Sequence, residues 1–100
     1  MAIAEITIIP IGTQSTSLST YVADLHKELE RHTDIAFQMT PMSTILEGPL
    51  DRLLDVIRAV HEVPFTNGAQ RVSTSIKIDD RRDKPASMQQ KMDSVARKLT

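Results

Sequence analysis

The sequence predicts an α+β sandwich: a four-stranded antiparallel sheet with two helices on one face and a short helix added at the C-terminus. Three observations carry that expectation. Apolar and polar residues alternate with period two in separate short stretches, the pattern of half-buried strands. Two longer stretches between them repeat at helical spacing. The links between strand stretches are helix-length except for one very short connection, which gives the order β-α-β-β-α-β.

The first strand runs from Ala2 to Ile9, with Ala4, Ile6 and Ile8 on one face and Glu5 and Thr7 on the other. Pro10 and Gly12 end it. A hydroxyl-rich loop, Thr13 to Ser17, leads into a helix whose apolar positions are Leu18, Tyr21, Val22, Leu25 and Leu29, with Ser17 placed to cap it. That helix should fade between Arg31 and Thr33. Ile35, Phe37 and Met39 then alternate with Ala36, Gln38 and Thr40 as a second strand. Pro41 and Met42 break it, and Ser43 to Glu47 forms a third, close enough to make a hairpin.

Gly48-Pro49 opens the second helix, with Pro at its first position and Asp51 near the positive end of its dipole. Leu50, Leu53, Leu54, Ile57 and Val60 form its apolar stripe, and Pro64 is expected to stop it. Asn67-Gly68 turns the chain into a fourth strand. There Val72, Thr74, Ile76 and Ile78 should face the core, with Arg71, Ser73, Ser75 and Lys77 outward. Charged residues follow without interruption from Asp79 to Lys84. Ser87 with Gln90 resembles a capping box, and Met88, Met92, Val95 and Leu99 mark one face of the terminal helix. With right-handed crossovers this order is the ferredoxin-like sandwich. Its second sheet face is bare in a monomer and is expected to carry Glu5, Thr7, Gln38, Thr40, Ser73, Ser75 and Lys77.

A chain of 100 residues, 40% apolar and 25% charged, fits one soluble globular domain spanning 1–100. Its three aromatic residues, Tyr21, Phe37 and Phe65, leave the core to aliphatic side chains and methionine. A formal net charge of −1 gives no electrostatic recruitment to nucleic acid or an anionic membrane. The absence of cysteine removes disulfides, thiolate catalysis and cysteine-ligated metal, and fits a reducing compartment. No apolar run approaches a membrane span and the N-terminus lacks the pattern of a signal peptide. A cytoplasmic location is the expectation.

Several chemistries fail on spacing. His26, His32 and His61 form no His-x-x-x-His or His-Glu-x-x-His pair, so ordinary helix histidines are expected and no metal site. Asp79, Asp80 and Asp83 are interleaved with Arg81, Arg82 and Lys84, which repel a cation and suggest a solvated or subunit-bridging salt network. Phosphate binding by the two arginines is a further reading of the same cluster. The hydroxyls have no Gly-x-Ser-x-Gly elbow and no assignable base. Acylphosphatase chemistry on this fold needs an arginine in the loop after the first strand, and Gly-Thr-Gln-Ser-Thr-Ser has none. RNA binding through the sheet would need outward aromatic residues. What remains is a binding site of hydroxyls with one carboxylate, Glu47, beside Thr44. That carboxylate can pair with a cationic or amidine-like ligand, or serve only the dipole of the adjacent helix.

Pro10-Ile11-Gly12-Thr13 with its serine-rich loop, the run Pro41-Met42-Ser43-Thr44-Ile45-Leu46-Glu47-Gly48, His61-Glu62 before Phe65 and Gly68, and the stretch Arg71 to Lys84 together resemble the thiamine-binding protein family. The resemblance covers nearly the whole chain in the same order. It implies a non-enzymatic, cytoplasmic binder of thiamine or a related hydroxymethylpyrimidine, with no other cofactor. It also implies self-assembly as dimers that pair into tetramers through the sheets, with the ligand in a pocket at or near a subunit interface. On that reading Glu47 is the candidate for the charged or amino end of the ligand. Thr13, Ser17, Ser43 and Thr44 are candidate hydroxyl contacts, and Met39 or Met42 supplies apolar packing. Ser43 departs from the glycine expected after Pro-Met, and it would strain a turn that needed positive φ. The alternative is an oligomeric regulatory or assembly module with no small-molecule ligand, in which the polar face and the Asp79–Lys84 charges serve subunit contacts.

Overall fold

The computed structural model describes residues 1–12, 19–83 and 87–99. The elements follow in the order β1 (Ala2–Pro10), α1 (Ser19–Glu30), β2 (Ala36–Met39), β3 (Thr44–Gly48), α2 (Leu50–Thr66), β4 (Val72–Asp80) and α3 (Met88–Leu99). The strands form one antiparallel sheet in the order β2-β3-β1-β4, the ferredoxin-like arrangement. Ser17 and the Thr13–Ser17 loop lie outside the described residues, so the proposed α1 cap does too.

The core is the aliphatic seam between one sheet face and two helices. Ala2, Ala4 and Ile6 of β1 and Leu46 of β3 meet Leu25 and Leu29 of α1 and Leu53, Val56, Ile57 and Val60 of α2, all buried. Small alanines on the central strand let the helices approach closely, while larger side chains fill the space above its neighbours. Ile35 is buried just ahead of β2. It packs against the helix side of Gly48, where an added Cβ would lie 3.0 Å from Ile35 Cγ2.

Three expectations need correction. Pro64 does not stop α2: it is buried within the helix, which runs to Thr66. Its missing N–H removes one bond near the end of the helix, and the last turn closes through Asn67 N–H to the Val63 and Pro64 carbonyls at 3.2 and 3.1 Å. Second, Ile76 and Ile78 are not core residues. They lie on the helix side of β4, opposite Ile6 and Ala4, yet remain 48% and 41% exposed. β4 is an edge strand, and α2 reaches it at His61, whose Nδ1 lies 2.7 Å from Thr74 Oγ1. Third, the bare face is less polar than expected. The register sets Ile3 between Glu47 and Asp79, Ile45 beside Glu5 and Gln38, and Ile9 opposite Ser73, so isoleucines interrupt its polar rows.

Candidate functional site

The ladder between β1 and β3 ends where Ile6 pairs with Thr44, while β1 continues to Pro10 beside β4. Among the described strands, nothing pairs with the other edge of Thr7–Pro10. The β2–β3 hairpin therefore folds over a gap between β1 and α1. This gap is a cleft of about 470 Å³. Ile6, Ile8, Val22, Leu25 and Met39 give it apolar walls, and Thr7, Thr40, Ser43 and Thr44 place hydroxyl residues around it. Val22 and Met39 also line a second, more open recess running along α1 past His26.

The hairpin is held by Thr40. Its hydroxyl donates to the Ser43 carbonyl at 2.8 Å and accepts the Ser43 and Met42 N–H groups at 3.0 and 3.3 Å. This local loop of hydrogen bonds is the usual task of a threonine at a turn before proline. Ser43 Oγ in turn donates to the Glu5 carboxylate at 3.1 Å, tying the turn to β1 and holding an acidic group at that end of the sheet. No described residue other than glycine has a positive φ, so Ser43 needs no glycine-like backbone.

Met39 is oriented from the helix side. His26 Nδ1 lies 2.9 Å from Met39 Sδ, its Nε2 lies 2.5 Å from Glu30, and its ring meets Phe37 edge-on at 5.4 Å. A flexible thioether is thus given a fixed position on the cleft wall.

The structure brings Met39, Ser43 and Thr44 into one cleft, with Met42 at its rim. Thr13 and Ser17 lie outside the described residues. Glu47 is elsewhere: it points to the open sheet face, and its Oε2 accepts the Met88 N–H at 3.2 Å. It therefore serves a helix N-terminus, although of α3 rather than α2. Val22 and Thr40, which also line the cleft, were not legible in the sequence as residues of such a cleft. Thr40 carried a signal, since a threonine directly before Pro41 is a turn-forming pair; Val22 read only as helix core.

Two ion pairs lie within the charged run at the end of β4. Arg81 binds Asp83 at 2.6 Å and Arg82 binds Asp80 at 2.8 Å, and the hydrogen bond from Arg82 holds the Asp80 carboxyl below its ordinary range. Among the described residues there is no group of three or more His, Asp or Glu side chains arranged for a metal ion. No helix among them is long and apolar enough to cross a membrane.

The fold places the molecule in the class of ferredoxin-like α+β sandwiches. Residues 4–96 match the family described as thiamine-binding protein, and the chain belongs to that family. It is 52% identical over 102 residues to a UPF0045 protein of Bacillus subtilis, covering 99% of this chain and 98% of that one. A UPF0045 protein of Methanothermobacter thermautotrophicus is 42% identical over 100 residues, covering 99% and 100%. Among solved structures, a hypothetical protein from Methanocaldococcus jannaschii superposes with a TM-score of 0.85 at 33% identity, over 95% of each chain. A Thermotoga maritima protein, described provisionally as acting in thiamine biosynthesis or salvage, gives 0.75 at 14% identity, over 94% of this chain and 97% of that one. That last likeness is one of fold.

Proposed function

We propose that this chain is a non-enzymatic, cytoplasmic binder of thiamine or a related hydroxymethylpyrimidine, held in the cleft between β1, α1 and the β2–β3 hairpin. The observation that carries the reading is the lining of that cleft, in a chain whose family is named for thiamine binding. Aliphatic and thioether side chains on one side suit a flat heteroaromatic ring. Hydroxyls on the other suit its amino and ring-nitrogen edges, and the Glu5 carboxylate, which Ser43 holds on the open sheet face outside the cleft lining, is the first that an amidine-like or cationic group reaching past Ser43 would meet. Thr13 and Ser17 belong to the same proposal as hydroxyl contacts from the preceding loop. Glu47 is its second carboxylate, about 10 Å along β3 from Thr44 at strand spacing, and would reach a ligand only from the open sheet face. That face is where the proposal places subunit contacts of a homodimer or homotetramer.

Titration calorimetry with thiamine and with hydroxymethylpyrimidine tests this. Saturable heat is expected for at least one of them. A ligand present at a hundredfold excess over Kd should stabilise the fold by about 2.7 kcal/mol, a rise in Tm on the order of 10 °C for a domain of this size. Folded protein that gives neither heat nor a shift in Tm at millimolar ligand would overturn the proposal. Binding that survives unchanged in both Met39→Ala and Ser43→Ala would move the site out of this cleft.

A further inference from the structure

The contact between His26 and Met39 does more than fix a side chain. Glu30 follows His26 by one helical turn, and its carboxylate, 2.5 Å from Nε2, holds a ring proton there. Nδ1, on the far side of the ring, then carries the lone pair, and it faces Met39 Sδ at 2.9 Å. The thioether sulfur also offers only lone pairs. Two electron-pair donors thus face each other across a place that suits a positive centre. A carboxylate on one ring nitrogen and an available lone pair on the other is the usual arrangement of a histidine that ligates a metal.

The pair is built into the fold. His26 stands on α1, while Phe37 and Met39 lie two residues apart on β2 and so share one of its faces. Phe37 packs against the core and meets the imidazole edge-on at 5.4 Å, so the ring is braced from the strand as well as from the helix. β2 is an edge strand, and a recess of about 680 Å³ along α1 opens onto both donors, which gives an ion an entry path. Metal bonds on the order of 2.0–2.3 Å to nitrogen and sulfur need the donors further apart than they stand. The rotatable thioether can draw back by that amount. Lys27 lines the same recess and opposes a cation, and the Glu30 carboxylate offsets it.

The donor types choose the ion. An imidazole with a thioether favours a soft ion over calcium or magnesium, which want oxygen. A harder transition ion would want three or more His, Asp or Glu, and no such group exists among the described residues. A soft monovalent ion is content with two donors. The other histidines meet oxygen instead: His32 lies beside Glu28 and His61 beside Thr74. The chain has no cysteine, so no thiolate competes for the ion.

We propose that His26 Nδ1 and Met39 Sδ form a two-donor site for a soft monovalent ion, copper(I), with Glu30 orienting the imidazole. The inference does not depend on thiamine being the ligand of the adjoining cleft, and its test uses thiamine-free protein.

Silver(I), which matches copper(I) in charge and softness, is the probe for titration, and copper(I) under anaerobic reducing conditions is the probe for X-ray absorption. The first equivalent of silver should shift the Met39 methyl and His26 ring resonances together, ahead of the other methionines. Met39→Leu, a swap that keeps the side-chain volume, and His26→Gln should each weaken that equivalent at least tenfold while the circular dichroism melt is kept. Met92→Leu should leave it unchanged. The copper(I) protein should show nitrogen and sulfur together in the first shell of the ion. A shell of nitrogen and oxygen alone overturns the proposal, as does an affinity that Met39→Leu leaves unchanged. Silver that reaches the other methionines first, with protons found on both His26 ring nitrogens, overturns it in favour of a plain hydrogen bond to sulfur. Should either variant fail to fold, the resonance and X-ray absorption results on the wild-type chain decide alone.

Discussion

Gly48 shows how a single residue can be read for the wrong reason. In the sequence it stands before Pro49 and looks like a turn-maker. In the structure it is the buried last residue of β3, and it is small because Ile35 occupies the space of its side chain. A Cβ there would sit 3.0 Å from Ile35 Cγ2 and 3.5 Å from Ile35 Cβ, with Leu53 Cδ2 at 3.6 Å. Ile35 is β-branched and buried, so it cannot swing clear. Gly48→Ala is therefore expected to cost about 1–3 kcal/mol through overpacking, visible as a fall of several degrees or more in Tm. Glu47, its neighbour, was legible as a useful carboxylate but not as the acceptor of a distant helix. Met88, at the start of α3, meets it across 41 positions of sequence, and no local pattern encodes that contact. Met39 and Ser43 were legible because they flank a Pro-Met break, where a hairpin must turn. Val22 was not, because a helix residue lining a cleft and one filling a core have the same periodicity.

At the scale of elements, the order and type of every strand and helix followed from the alternation between period two and helical spacing. What the pattern could not supply was where each element stops being covered. Ile76 and Ile78 alternate as regularly as Ile6 and Ile8, yet a sequence does not say that β4 is an edge or that α2 bonds to it at His61. Pro64 was misread because a proline near a helix end removes only one bond, and the last turn is completed by Asn67. The turn before β2 is fastened by charge instead. Arg52 of α2 pairs with Asp34, just after α1, and with Asp55 at 3.0 Å. The hydrogen bond from Arg52 is the main reason the Asp34 carboxyl titrates below its ordinary value. A depressed carboxyl contributes stability above the unfolded pKa, about 3.9, and loses it as pH falls through the lowered folded value. Asp34→Asn should accordingly lower Tm modestly at neutral pH, and the gap from wild type should close as pH falls below about 4. A gap that stayed constant down to strong acid would mean that Asp34 acts through packing alone. Because the pair is solvent-exposed, added salt should narrow the gap as well.

For the whole molecule, the layers imply a definite order of local stability. β1 and β3 each have strands on both sides and lie under the helices, and α2 contributes buried residues from Leu53 to Pro64. Amide exchange should be slowest there, because opening those elements means breaking the core itself. β4 beyond Thr74 is paired with β1 on one side, and its Ile76 and Ile78 are open to water; its outer amides should exchange faster than those of β1. No residue of α3 is buried, so the amides from Met92 to Leu99 should exchange earliest of any helix. Hydrogen exchange followed by mass spectrometry reads the whole order in one experiment. Protection in β1, β3 and α2 should stay ahead of α3 throughout, because opening α3 uncovers no core residue. An α3 protected as strongly as α2 in a dilute sample would mean that local opening does not follow burial in this molecule, and the order argued from the layers would fall with it.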